Sequence, residues 1–209
     1  MKPLEQIIFR WPQRPPLPPP HQTVLIRVAT PPSRPAERRE LRAVLRQVLA
    51  EWSGLLPEQL PLRETSRGPL WPGELAGHPL GISFSYSGSE GWIGLFRGGK
   101  IGIDAVPMTP IPEAEAVARH YLGPVALAEI QNSKNPARTF AIAWSGLEAG
   151  LKCMRLELTE WDAIQDFRLQ NQMVQSVHVD AGRVVAVATC YSKIDLANTQ
   201  PRNLSVASV

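Results

Sequence analysis

The 209-residue chain lacks most of the features that announce a function. It has two cysteines, Cys153 and Cys190, too few for a disulfide framework and at a spacing that fits no metal motif. No apolar run approaches the ~20 residues of a membrane span. Lys2, Glu5 and Arg10 interrupt any N-terminal leader region. The expectation is a soluble, reduced, cytoplasmic protein with no membrane partner. Blocks of like charge and nucleic-acid motifs are also missing, so no nucleic-acid partner is expected, although a net charge of +3 and a pI near 9.1 lean toward an anionic one. There is no GxxxxGK[ST], GxGxxG, HExxH or GxSxG. The four histidines, at 21, 78, 120 and 178, are scattered.

Proline is abundant instead, at 21 residues, and ten of these fall within the first 35 positions. The stretch Pro12–Pro20 is therefore extended and non-helical. It separates two short strand patterns, 4–10 and 23–28. Beyond Pro35, Leu41, Val44, Leu45, Val48, Leu49 and Trp52 recur at helical spacing, with Arg38, Arg39, Arg42 and Arg46 on the remaining positions and Gly54 as a stop. Residues 55–81, rich in Pro and Gly, read as an irregular connection.

Strands follow at 82–87, 92–96 and 101–106. Arg97-Gly98-Gly99-Lys100 has the chemistry of a hairpin turn between the last two. In the first, Ile82, Phe84 and Tyr86 alternate with Ser83, Ser85 and Ser87, giving one apolar face and one row of hydroxyls. Helices are expected over 113–121, 124–131 and 136–153, then a β region over 164–191. This order predicts an α+β fold of two similar-sized α/β lobes forming a pseudo-dimer, each a small antiparallel sheet with packed helices. The expected division is an N-terminal lobe (1–106), a C-terminal lobe (107–192) and a tail (193–209).

Two segments carry candidate chemistry. In Ile101-Gly102-Ile103-Asp104, alternation buries the isoleucines and turns Asp104 to the opposite face beside a glycine. That suits a cation or ligand contact, and equally a solvated strand aspartate. In the helix 140–154, Phe140, Ala143, Trp144, Leu147, Leu151 and Met154 form an apolar stripe, while Ser145, Glu148 and Lys152 share another face. Glu148 and Lys152 also make an ordinary i,i+4 helix pair, worth roughly 0.3–0.5 kcal/mol.

Taken together and in order, five segments resemble the 4'-phosphopantetheinyl transferase superfamily, of the two-lobed monomeric kind. Arg42-Ala43-Val44-Leu45-Arg46 is similar to its "R-A-L-L-R" helix, and Thr65-Ser66-Arg67-Gly68-Pro69 to its "G-K-P" element without the lysine. Ser83-Phe84-Ser85-Tyr86-Ser87 resembles "N-x-S-H-S", and Gly102-Ile103-Asp104-Ala105-Val106 resembles "G-[IV]-D-x-E". The most specific match is Trp144-Ser145-Gly146-Leu147-Glu148-Ala149-Gly150-Leu151-Lys152, to "W-[ST]-x-K-E-A-x-x-K".

The resemblance implies transfer of the phosphopantetheine arm of coenzyme A to a serine of an acyl or peptidyl carrier protein, with release of 3',5'-ADP. It implies a Mg²⁺ held by Asp104 and Glu148, with Glu148 also helping to deprotonate the acceptor serine and Lys152 contacting the diphosphate. Arg42, Arg46, Arg67, Ser85, Tyr86 and Lys152 become coenzyme A contacts by position. Phosphoryl-type chemistry asks for such a set, hard oxygen ligands and a cation. Four departures stand out: Val106 for a second acid, Tyr86 for a histidine, Leu147 for a lysine, and no glycine after Lys152; the tyrosine and the leucine reduce positive charge around the nucleotide. They leave the alternative of a relative that binds coenzyme A or a carrier protein without turnover.

Overall fold

A Ser33 side chain that accepts from the Ala36 N–H, with Pro35 in the first turn, starts α1 (Arg34–Ser53), and Gly54 ends it with a left-handed φ of 71°. Leu41, Val44, Leu45, Val48 and Leu49 are all essentially inaccessible, which places the predicted apolar stripe in the core. The computed structural model describes residues 6–65, 68–164, 166, 169, 174–180 and 182–191. The stripe lies on a five-stranded sheet of order β1-β2-β7-β6-β5, where β1 is Gln6–Arg10, β2 Thr23–Ala29, β5 Glu74–Leu75, β6 His78–Ser87 and β7 Glu90–Arg97. Val24, Ile26, Val28, Ile93 and Leu95 complete that core. Each such side chain contributes about 1.5–3 kcal/mol by leaving water.

The Pro-rich stretch packs on the body. Pro15 and Pro18 are buried, and their carbonyls accept from Trp52 Nε1 (2.8 Å) and Arg97 Nη1 (3.0 Å). This strap returns the chain to the start of the sheet, so β1 runs parallel to β2 while the other pairings are antiparallel. The region 55–81 is less irregular than its composition implies, since β3 (Arg63–Thr65) pairs with β4 (Gly68–Leu70) and β5 pairs with β6.

The expected hairpin at Arg97–Lys100 does not form. Gly98 and Gly99, with φ of 145° and 157°, redirect the chain, and β8 (Gly99–Pro107) leaves the first sheet. It pairs with β10 (Arg183–Tyr191), which pairs with β9 (Val174–Asp180), in an antiparallel sheet of order β8-β10-β9. The β region starts later than expected, because residues 163 and 164 are helical.

The two sheets stack. Leu25, Trp92 and Phe96 from the first meet Ile101, Ile103, Ala105, Val185 and Val187 from the second. The far face of the second sheet takes α4 (Pro136–Met154) through small residues, Ala149 and Cys153 on Ala186 and Ala188. Gly102 allows this approach, for a Cβ there would overlap the backbone of Ala149 and Cys153. Between β8 and α4 lie α2 (Ala114–Val117), a π-helical turn (Ala118–Leu122) and α3 (Gly123–Asn132). The layers run helix, sheet, sheet, helix, an α+β fold.

Candidate active site

The serine row of β6 faces inward. Ser83, Ser85 and Ser87 are 8%, 2% and 6% exposed, while Phe84 and Tyr86 pack on the α1 side of the strand. Ser83 Oγ accepts from the Ile103 N–H (3.1 Å) and Ser85 Oγ from the Ala105 N–H (3.0 Å). Serine hydroxyls therefore satisfy the β8 amides that have no ladder partner on that edge. This explains why alternate positions of β6 are small and polar although buried.

Ser85 also donates to Asp104 Oδ1 (3.0 Å). The Lys152 ammonium donates to the same oxygen (2.7 Å) and to the Ile103 carbonyl (3.1 Å). Asp104 is 8% exposed and would be costly to keep ionised without these partners. Glu148, one turn before Lys152 on α4, is half-buried, and burial pushes its carboxyl above the usual range. The Asp104 charge acts in the same direction and Lys152 opposes it. Asp104, Glu148, Lys152 and Ser85 thus form one electrostatically linked group at the seam between β6, β8 and α4.

Arg42 and Tyr86 are brought together on the other side of β6. Arg34 lies over the Tyr86 ring (4.2 Å to the centroid), and Arg42 pairs with Glu64 through two bonds of 2.9 Å. Tyr86 is pushed up by burial, against the charges of Arg42, Arg38 and Arg34. Arg46 donates to the Pro57 carbonyl (3.1 Å). Arg67 lies outside the described residues. Val106 and Leu147, the positions where acid and lysine are replaced, are both half-buried.

The remaining motif residues of α4 are structural. Trp144 stacks on Phe140 (6.0 Å, 9°) and meets Tyr121 edge-on (5.9 Å, 83°), and Ser145 is fully buried with its hydroxyl on the Ile142 carbonyl. Ser85 as the support of Asp104 is the role that sequence reasoning missed, and the serine alternation was its only signal.

Among the described residues no three potential ligand side chains converge on a metal position. The donor set is two carboxylates beside a lysine, with both Asp104 hydrogen bonds on Oδ1. That fits Mg²⁺, which commonly takes one or two carboxylates and fills its octahedron with phosphate and water, and it does not fit a fully protein-ligated cage.

A protein of Synechocystis sp., whose name assigns it provisionally to the 4'-phosphopantetheinyl transferases, is 31% identical over 117 residues. The match covers 54% of this chain and 46% of the relative, so the chain spans about half the length of the protein it matches. A sequence model of one family matches residues 100–205, a span that holds Asp104, Glu148 and Lys152. On that match, which covers just over half of its residues, the chain belongs to the 4'-phosphopantetheinyl transferase superfamily.

Proposed function

We propose that this protein is an enzyme that transfers the 4'-phosphopantetheine arm of coenzyme A to a serine of an acyl or peptidyl carrier protein. The observation that carries the reading is the convergence of Asp104 and Lys152, far apart in sequence, at 2.7 Å beside Glu148. Asp104 and Glu148 are the residues that would hold Mg²⁺, which when bound supplies charge stabilisation at the diphosphate. Lys152 places a fixed positive charge next to them, where the departing 3',5'-ADP gains negative charge. Glu148 is also assigned to take the proton of the carrier serine as its oxygen attacks phosphorus. Ser85 keeps Asp104 in place and is a positioning residue, with a hydroxyl already committed to Asp104 and Ala105. Arg42, Arg46, Arg67 and Tyr86 are assigned to the nucleotide end of coenzyme A. The reading includes a monomer of two lobes, divided near residue 106, and a cytoplasmic location. Among the described residues no helix is long and apolar enough to cross a membrane.

The test is incubation with coenzyme A, Mg²⁺ and a panel of apo carrier proteins, read by intact mass. A carrier that gains the mass of the arm establishes the transferase. A melting temperature raised by coenzyme A only when Mg²⁺ is present, with no carrier modified, establishes the non-catalytic relative instead.

A further inference from the structure

Cys153 and Cys190, 37 positions apart, are brought to an Sγ–Sγ separation of 3.2 Å. They are the chain's entire thiol content. Cys153 is buried on the last turn of α4, directly after Lys152, and Cys190 is half-buried near the end of β10. Among the described residues the β9 pairing extends to Thr189, one residue earlier. On its other side Cys190 is paired with Lys100 of β8. Met154 Sδ lies 3.5 Å from Cys190 Sγ, which completes a small sulfur cluster.

We propose that these two thiols form a reversible disulfide that ties the C-terminal turn of α4, and with it Lys152, to the β8–β10 sheet. Closing the bond shortens the present contact by about 1.2 Å, since a disulfide spans about 2.05 Å. The two thiols are differentiated for the exchange. Cys190 accepts a hydrogen bond from Cys153 and feels the Lys100 charge, and both lower its pKa against the effect of burial. Cys153, as the donor to Cys190 and a buried group, is pushed up. Cys190 is therefore the attacking thiolate and Cys153 the resolving thiol.

The oxidant is a small-molecule disulfide, RSSR. The Cys190 thiolate attacks one sulfur, forming Cys190–S–S–R and releasing RS⁻. The released thiolate takes the Cys153 proton, and the Cys153 sulfur then attacks Cys190 Sγ and expels a second RS⁻. That thiolate recovers the proton Cys190 gave to solvent. The two protein thiols are oxidised by two electrons and RSSR is reduced to two RSH.

The experiment equilibrates the full-length protein with oxidised glutathione at neutral pH. A non-reducing digest is then read by mass spectrometry. The expected result is a peptide containing Cys153 linked to one containing Cys190, loss of both free thiols, and return of both with dithiothreitol. The oxidised form should melt higher by about 5–10 °C. Amide exchange in the last turn of α4 should slow in parallel. Cys153→Ala should leave Cys190 trapped as a glutathione adduct, and Cys190→Ser should leave Cys153 unreacted. Two free thiols after equilibration, a stable glutathione adduct on the unsubstituted protein, or a disulfide formed only between chains would each overturn the proposal.

Discussion

Ser85 holds two partners at once, and its loss should be felt in both. Ser85→Ala leaves the buried Ala105 N–H unpaired and removes one of the two bonds on Asp104 Oδ1. We expect a stability loss of about 1–3 kcal/mol in denaturant unfolding, the cost of an orphaned buried donor. Glu148 makes a prediction of opposite character. Its folded-state carboxyl is raised, so its contribution favours folding below the ordinary glutamate range and is lost as pH rises through the raised value. Glu148→Gln titrates nothing there. Melting temperatures of the two proteins should therefore converge at low pH, with the wild type falling behind the variant toward neutral pH. A wild type that gains on the variant as pH rises would contradict the burial assigned to Glu148. Val106 is half-buried and, by strand alternation, shares the face of Asp104. Val106→Glu should fold and bind Mg²⁺ more tightly by isothermal titration, and a variant that unfolds would place Val106 in the core instead.

At the scale of elements, α4 is both the motif-bearing helix and the one most tightly seated. Gly102→Ala forces a methyl into the backbone of Ala149 and Cys153, which no rotamer change relieves, so the helix must shift. We expect a loss of about 1–3 kcal/mol or more in thermal unfolding, with metal binding weakened in parallel because α4 carries Glu148 and Lys152. Both long helices were legible because an apolar stripe of helical period is a local signal, but only in α1 is that stripe the buried face; α4 buries Ala141, Ser145, Ala149 and Cys153 and leaves Ala143, Trp144, Leu147 and Met154 half-buried. The β7–β8 turn was not. Two glycines permit a hairpin, and nothing nearby tells β8 that its partner is β10, some 80 positions further on. The hydroxyl row of β6 was visible, but its meaning depended on β8 lying against it. The pairing of Asp104 with Lys152 was not foreseen: the family resemblance implied a metal shared by Asp104 and Glu148 and a diphosphate contact for Lys152, and the helix spacing alone offered only the bland Glu148–Lys152 pair.

Over the whole molecule, β6 divides two charged regions. On one side lies the Asp104–Glu148–Lys152 seam, and on the other the arginine row of α1 beside Phe84 and Tyr86. Two of those arginines are already matched, Arg42 with Glu64 and Arg34 with Glu37, and Arg42 and Arg46 are assigned to coenzyme A, so the field left for an acidic carrier is smaller than their number. If that surface receives the carrier, its dissociation constant should rise several-fold between low and physiological salt, in a fluorescence binding titration. Binding indifferent to salt would place the carrier elsewhere. The central claim is that Asp104 and Glu148 act as one cation site for arm transfer, and it is tested most directly by one comparison. Wild type and Glu148→Gln, each shown to be folded by circular dichroism, are incubated with coenzyme A, Mg²⁺ and an apo carrier that the wild type modifies, and the carrier mass is followed in time. The account predicts steady conversion by the wild type, none when EDTA replaces Mg²⁺, and a fall of at least about a hundredfold for the variant, in line with the loss of a group acting on the transition state. Conversion by Glu148→Gln at the wild-type rate would contradict it.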